Sequence, residues 1–444
     1  MSAMDERDEE LLRWLQQMGL SPDLGSIDME KLISQMNTLM GSFAPSQSTS
    51  AKDSLWSYIR SAVKNQLASE DDPQPDQAFQ NRLADAERLV NSWLDEFISF
   101  ESTCSSAQAW TRSRWIDATL DGWRSVAEPI GARIGEALAH SFTNQLGNDA
   151  LPTEFQSVVP MLTPLMQSSA EATYAQRFAT ALSTAANDLL TACEINIPLL
   201  SSPRLVVIAS NFERFSHDTS IDSTDLLYYI CARELARQRL FSHVGWLGPQ
   251  LMALIEHYAR EIVIDPSAFQ TNMSIEEISQ MDMETLEGMR INLEGKLFSP
   301  EKSDLQREIL DRLETLLALI EGWVDQSVSH MVAKWMPHAH AHLDEMMRRR
   351  RATDDPARRL FEALVGLELH PKKVRQAVQL WTTIATNMDV KERDALWAHP
   401  DLIPTSSDLD HPEIFRPHQE EDRTPDAFDE ALARLLEEAD PHED

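Results

Sequence analysis

The sequence predicts a mainly α-helical protein with at most a small β element, on three observations. Leu, Ala, Glu, Gln, Met and Arg recur throughout, while only 13 Gly and 5 Tyr occur in 444 residues, a mixture that favours helix. Apolar residues return every three or four positions along most of the chain. Only one segment, Arg204-Leu205-Val206-Val207-Ile208-Ala209, has the short β-branched character of a strand, between Pro203 and a polar loop.

From the N-terminus, Leu11, Leu12, Trp14 and Leu15 predict a short amphipathic helix, Met29 to Met40 a second, and Leu55 to Leu67 a third. Ser46-Gln47-Ser48-Thr49-Ser50 reads as a flexible link, and Glu70-Asp71-Asp72-Pro73-Gln74-Pro75 as a boundary. Residues 1–75 therefore form a variable acidic accessory region. From Phe79 the helical period is dense, with Leu83, Leu89, Val90, Trp93, Leu94 and Phe97 on one stripe. Further helices are expected over 106–145, 155–192, 223–241, 247–262, 274–295, 303–333, 338–350, 356–366 and 371–387. These make up a domain over 76–415. Residues 416–444 read as an acidic tail with one small amphipathic helix, Phe428 to Leu436. No repeat of constant period is visible.

The net charge of −33 repels phosphate backbones, so nucleic acid and anionic membranes are poor partners. No G-x-G-x-x-G or G-x-x-x-x-G-K-[ST] spacing occurs, which argues against a conventional nucleotide site. Cys104, Cys193 and Cys231 are odd in number and far apart, so neither a disulfide framework nor a thiolate zinc site is supported. The N-terminus, Met1-Ser2-Ala3-Met4-Asp5-Glu6, lacks the basic-then-apolar pattern of a secretory signal, and no apolar stretch approaches the roughly 18 residues of a spanning helix. A cytoplasmic protein without membrane insertion is the expectation.

Several stretches, taken in order, resemble the zincin-like metallopeptidase family of zinc-dependent hydrolases. They are Ala109-Trp110-Thr111-Arg112-Ser113-Arg114-Trp115-Ile116, Leu240-Phe241-Ser242-His243-Val244-Gly245-Trp246-Leu247 and Glu321-Gly322-Trp323-Val324-Asp325. Arg348-Arg349-Arg350-Arg351-Ala352-Thr353, Val365-Gly366-Leu367-Glu368-Leu369 and Leu396-Trp397-Ala398-His399-Pro400-Asp401-Leu402 follow. The resemblance covers roughly residues 80–415 and implies a multi-helix zincin-like domain of the gluzincin type.

Such a site uses H-E-x-x-H on a helix: the two His share a face and reach one metal, and the Glu beside them polarises metal-bound water. A Glu on a later helix, often before Gly, is the third ligand. The corresponding segment here is Ala232-Arg233-Glu234-Leu235-Ala236-Arg237. The resemblance places Glu234 at the general-base position, Arg233 and Arg237 at the two His positions and Glu321 at the third-ligand position. A guanidinium has only donors and stays protonated, so it cannot coordinate zinc. The expectation is a degenerate site with no cofactor, in which Arg233 or Arg237 pairs with Glu321 and Asp325 lies one turn further along the same face. The bland alternative puts both arginines on a solvated face.

The alternative is an active zinc metallohydrolase or peptidase that uses unorthodox ligands. His243 could join Glu234 or Glu321, with Asp325 as a further candidate ligand and Glu256 in Leu254-Ile255-Glu256-His257-Tyr258 as a substitute third ligand. His338 and His342 stand at i and i+4 if 338–350 is helical. Arg348 to Arg351 read as an internal salt-bridge strip or a docking face for an acidic segment such as Glu420-Glu421-Asp422. The recurrent tryptophans read as core. The function expected from sequence is that of a non-catalytic binding or scaffold protein for an unidentified protein or peptide. A third reading places partner binding in residues 1–75.

Overall fold

Two helices buried on nearly every side form the axis around which the molecule is arranged. Their residues explain this: helix 223–243 has few charges apart from those it pairs internally, and helix 304–335 is apolar for most of its middle. The computed structural model describes residues 51–69, 71–102, 105–147, 159–263, 302–353, 355–366, 370–413 and 415–416. The helices expected near residues 11–15, 29–40, 274–295 and 428–436 lie outside the described residues.

The first described helix, α1 (Ala51–Leu67), buries Trp56, Ile59, Val63 and Leu67, a helical stripe packed against α4 (Val159–Asp188). The described part of the region read as accessory thus contributes to the core. In α2 (Gln77–Leu94), Asp76 caps the first turn by accepting from the Phe79 amide at 2.7 Å. Its buried stripe is Phe79, Leu83, Ala86, Val90 and Leu94; Leu89, expected on it, is exposed.

The segment expected to begin a helix at 106 instead starts as a strand, β1 (Ser105–Trp110). Ala107 and Ala109 are buried while Ser106 is exposed and Gln108 half-buried, a period of two rather than 3.6. This strand pairs in parallel with β2 (Arg204–Ile208), the predicted strand, through Gln108–Val206, Ala109–Val207 and Trp110–Ile208. Helix α3 (Arg112–Gly147) then begins where Thr111 Oγ1 accepts from the Arg114 amide and Asp72 accepts from the Arg112 and Ser113 amides, at 3.0 and 3.1 Å.

After β2 come α5 (Ala209–His217), the central α6 (Ser223–His243) and α7 (Leu247–Arg260). The second central helix, α8 (Asp304–Trp335), opens on a capping box formed by Ser303 and Gln306. Then follow α9 (His340–Thr353), α10 (Pro356–Val365, ended by Gly366 at φ +62°), α11 (Pro371–Asn387), α12 (Val390–Ala395) and α13 (Ser406–Asp410). Helix α11 lies close against α8: an added Cβ at Gly322 would meet the Ala377 Cβ at 2.7 Å. Trp381, on α11, donates to the Leu319 carbonyl at 2.9 Å and stacks on Trp397, which stacks in turn on Trp246. Trp110, Trp115, Trp123, Trp323, Trp381 and Trp397 are buried in the core, as their sequence setting predicts, while Trp93 and Trp246 are partly buried against it and Trp335 is exposed. Among the described residues the architecture is mainly α with one small two-stranded parallel sheet. No described helix is long and apolar enough to cross a membrane.

Candidate functional site

Where α6 packs beside α8, two arginines of one helix meet two carboxylates of the other. Arg233 and Arg237 are one turn apart on α6, and Glu321 and Asp325 one turn apart on α8, so each pair presents its charges on a single face. Arg233 bridges Glu321 Oε1 and Asp325 Oδ1. Arg237 Nη2 donates to Glu321 Oε2 at 2.7 Å. A third cation arrives from α9: Arg351 Nη1 donates to Glu321 Oε1 at 3.0 Å, and its Nη2 to Asp325 Oδ2. All five groups are largely withdrawn from water, with side-chain exposures between 3 and 14%. Such burial is tolerable because the carboxylate oxygens are saturated by charged donors.

Asn196 completes the cluster. Its side-chain oxygen accepts from Arg237 Nε at 2.7 Å and its amide donates to Glu321 Oε2 at 3.1 Å. It sits at φ 59°, a left-handed conformation that asparagine adopts more readily than most residues. Burial alone would push the Glu321 carboxyl up, but Arg233, Arg237 and Arg351 together hold it well below the usual carboxylate range. Asp325 is lowered in the same way, by Arg351 and Arg233 against its burial. Burial would lower Arg233, and Glu321 and Asp325 more than reverse that.

The expected ion pair between the α6 arginines and Glu321 is therefore present, and Arg233 and Arg237 do not lie on a solvated face. Glu234, between them, is fully buried and takes no part in that ion-pair cluster. Its Oε1 accepts from the Cys193 amide at 3.2 Å and from Gln238 Nε2 at 3.1 Å, and burial pushes its carboxyl up. It ties α6 to the loop that carries Asn196.

The cluster forms the floor of a cavity of about 450 Å³. Arg348, Arg349 and Arg375 stand around it, and Leu317, Ala318, Phe361 and Val374 supply apolar wall. Glu321 lines this cavity, whereas Glu234 and His243 do not. Asp355, which also lines it, caps α10 by accepting from the Ala357 amide at 2.9 Å. Burial pushes Asp355 up to about 6, with Glu321 adding to the effect.

The remaining candidates are dispersed. His243 stacks on Phe100, and its Nδ1 lies 3.0 Å from the Arg239 carbonyl. Glu256 pairs with Arg260 on the exposed side of α7. His338 lies in the turn ahead of α9, since Pro337 delays the helix to His340, and its Nε2 is 2.8 Å from Asp225 Oδ2. His342 is exposed on α9. Among the described residues, no group of three or more His, Cys, Asp or Glu side chains is arranged to hold a metal ion. Asn196 and the capping role of Asp355 carried no signal in sequence beyond residue type, and Arg351 was legible only as one member of a basic run.

The sequence profile described as zincin-like metallopeptidase matches residues 56–415. Comparison with curated proteins gives no match. Among solved structures, a protein from Chloroflexus aurantiacus titled "putative hydrolase with a novel fold" superposes with a TM-score of 0.53 at 15% identity. The superposition covers 80% of this chain and 95% of that one, a likeness of fold alone.

Proposed function

This chain belongs to the zincin-like metallopeptidase family, and from that premise we propose that it keeps the family's cleft as a non-catalytic binding site. The observation that carries this reading is the convergence of Arg233, Arg237 and Arg351 on Glu321 and Asp325. Zinc requires lone-pair donors around one point, and a guanidinium offers none. Both Glu321 oxygens already accept from guanidinium groups, so the one family-type carboxylate that could serve as a ligand is committed. The donor set does not fit a zinc ion at the inherited position. The arginines link α6, α8 and α9 where a metal would otherwise do so, and the cavity above them is left for a ligand held by charge and apolar contact.

The test is metal analysis of the full chain, purified without a polyhistidine tag and then offered zinc. Well under one equivalent is expected. A tightly held stoichiometric zinc ion would overturn the reading. Arg233→His combined with Arg237→His writes H-E-x-x-H across 233–237, and this variant is expected to gain zinc relative to the parent. Adding Arg351→Ala, which releases Glu321, should raise its affinity further.

A further inference from the structure

The cavity has the opposite charge character to the chain that encloses it. Eight arginine and lysine side chains line it against six acidic ones, in a protein whose net charge is −33. The excess is local as well as formal. On the floor, three guanidiniums share two carboxylates. On the rim, Arg348 and Arg349 share the single carboxylate of Glu345, and Arg375 is exposed with no partner among the described residues. Arg237 adds a specific donor. It is 2% exposed and lines the cavity, and its Nε and Nη2 are used by Asn196 and Glu321, which leaves Nη1 without an acceptor among the described residues. A guanidinium N–H that opens to the cavity is available to an anionic ligand there.

We propose that the cavity is a receptor for peptide carboxylates and that its occupant is the chain's own acidic segment, residues 417–444, bound in cis. The proposal rests on the non-catalytic reading of the same site and names its ligand. Segment 417–444 carries 11 Asp and Glu against two Arg, and Phe428, Leu432, Leu435 and Leu436 give it an apolar stripe at helical spacing to match the cavity wall. Its point of departure is close by. Helix α13 packs on α11, with Gln376 donating to Asp410 at 2.8 Å, and Gln376 is the neighbour of the cavity-lining Arg375. Ten residues separate Asp410 from Glu420, an extended reach of up to about 30 Å. Tethering raises the local concentration of the segment, so even modest contacts suffice to keep the cavity filled.

The test uses the full chain in two forms and a fluorescently labelled synthetic peptide of sequence 417–444 as the probe. One form is wild type; in the other Glu420, Glu421, Asp422, Asp426, Asp429 and Glu430 are changed to their amides. The amide form is expected to bind the probe at least about tenfold more tightly than wild type, whose cavity is already occupied. Adding Arg375→Glu to the amide form should weaken binding by about tenfold, and the affinity should fall as salt rises. Arg375 is exposed, so its replacement leaves the core intact. Failure of the amide form to bind the probe, or equal binding by both forms, would overturn the proposal. Zinc measured on the same preparations separates the two readings: bound zinc counts against the non-catalytic site, and loss of probe binding without zinc counts against the occupant alone.

Discussion

The molecule contains a second buried charge cluster, and it differs from the one beneath the cavity in two respects: it is balanced, and it is closed. Arg393 and Asp394 form one pair with N–O distances of 2.7 and 2.8 Å. Arg393 also donates to Gln326 on α8 and to the Phe97 carbonyl, at 2.6 and 2.7 Å. Asp394 accepts from Trp323 Nε1 at 2.9 Å and from the Ser99 amide and hydroxyl at 2.7 and 2.9 Å. One cation meets one anion, the bonds the pair makes to Gln326, Trp323, Phe97 and Ser99 tie α12 to α8 and to the 97–99 segment, and the pair lines none of the described cavities. The Arg233–Arg237–Arg351 cluster has three cations for two anions and opens to a cavity. Buried charge used as a lock is neutral and closed. Under the proposal above, buried charge left in excess beside a cavity serves a ligand instead.

The comparison breaks most directly at the two central carboxylates. Asp394→Ala strands Arg393 together with three hydrogen-bond donors at a residue only 1% exposed, and is expected to cost about 4–5 kcal/mol in urea unfolding. Glu321→Ala should cost less, about 3 kcal/mol, because Asp325 still serves two of the arginines and Glu321 borders the cavity. An equal or larger loss at Glu321 would mean that the cavity cluster is as much a structural lock as the other. The pH dependence follows the same carboxylates. Glu321 and Asp325 are lowered in the folded protein, so their contribution is present above the ordinary carboxylate range and is lost as pH falls through their depressed values. Glu321→Ala should flatten the acid side of the stability profile.

Much of the architecture was legible because helices announce themselves through local spacing: α2, α6, α7, α8 and α11 lie close to where the apolar period puts them. The strand β1 was not, since Ser105 to Trp110 has little β-branched character and becomes a strand through its pairing with β2 a hundred residues later. In the site, Arg233, Arg237, Glu321 and Asp325 could be named from helical spacing together with the family motif. Asn196 and Arg351 reach the cluster from a loop and from α9, and no local pattern encodes that. The Arg393–Asp394 lock was invisible for the same reason, its Ser99 partner being 295 residues away. Gly322 lies between these cases. The Glu-Gly pair marks the family site, but the structure gives the glycine a packing role, with Ala377 and Val378 of α11 within 2.9 Å of where a Cβ would stand. Gly322→Ala is expected to cost about 2 kcal/mol by forcing α11 off α8. It should also weaken probe binding, because α11 carries Arg375. Unchanged stability would show that the α8–α11 contact gives way easily.

The smallest expected effect is the one that most sharpens the contrast between excess and balance. Asp355 lines a cavity rich in arginine, yet its carboxyl is pushed up from 3.8 to about 6, by burial first and by Glu321 second. The field of the floor arginines is thus largely taken up by Glu321 and Asp325, and Asp355 receives little of it. A raised acid binds its proton more tightly in the folded state than in the unfolded chain, so its contribution to stability declines as pH rises from 3.8 through about 6. Asparagine keeps the cap of α10 without the charge. Asp355→Asn is therefore expected to match wild type in acid and to exceed it by about 1 kcal/mol above about pH 7. Urea midpoints measured across that range decide it. A variant no more stable than wild type at the upper end would mean that the rim cations already balance Asp355, and that the excess positive charge assigned to the cavity is smaller than the count of its lining groups implies.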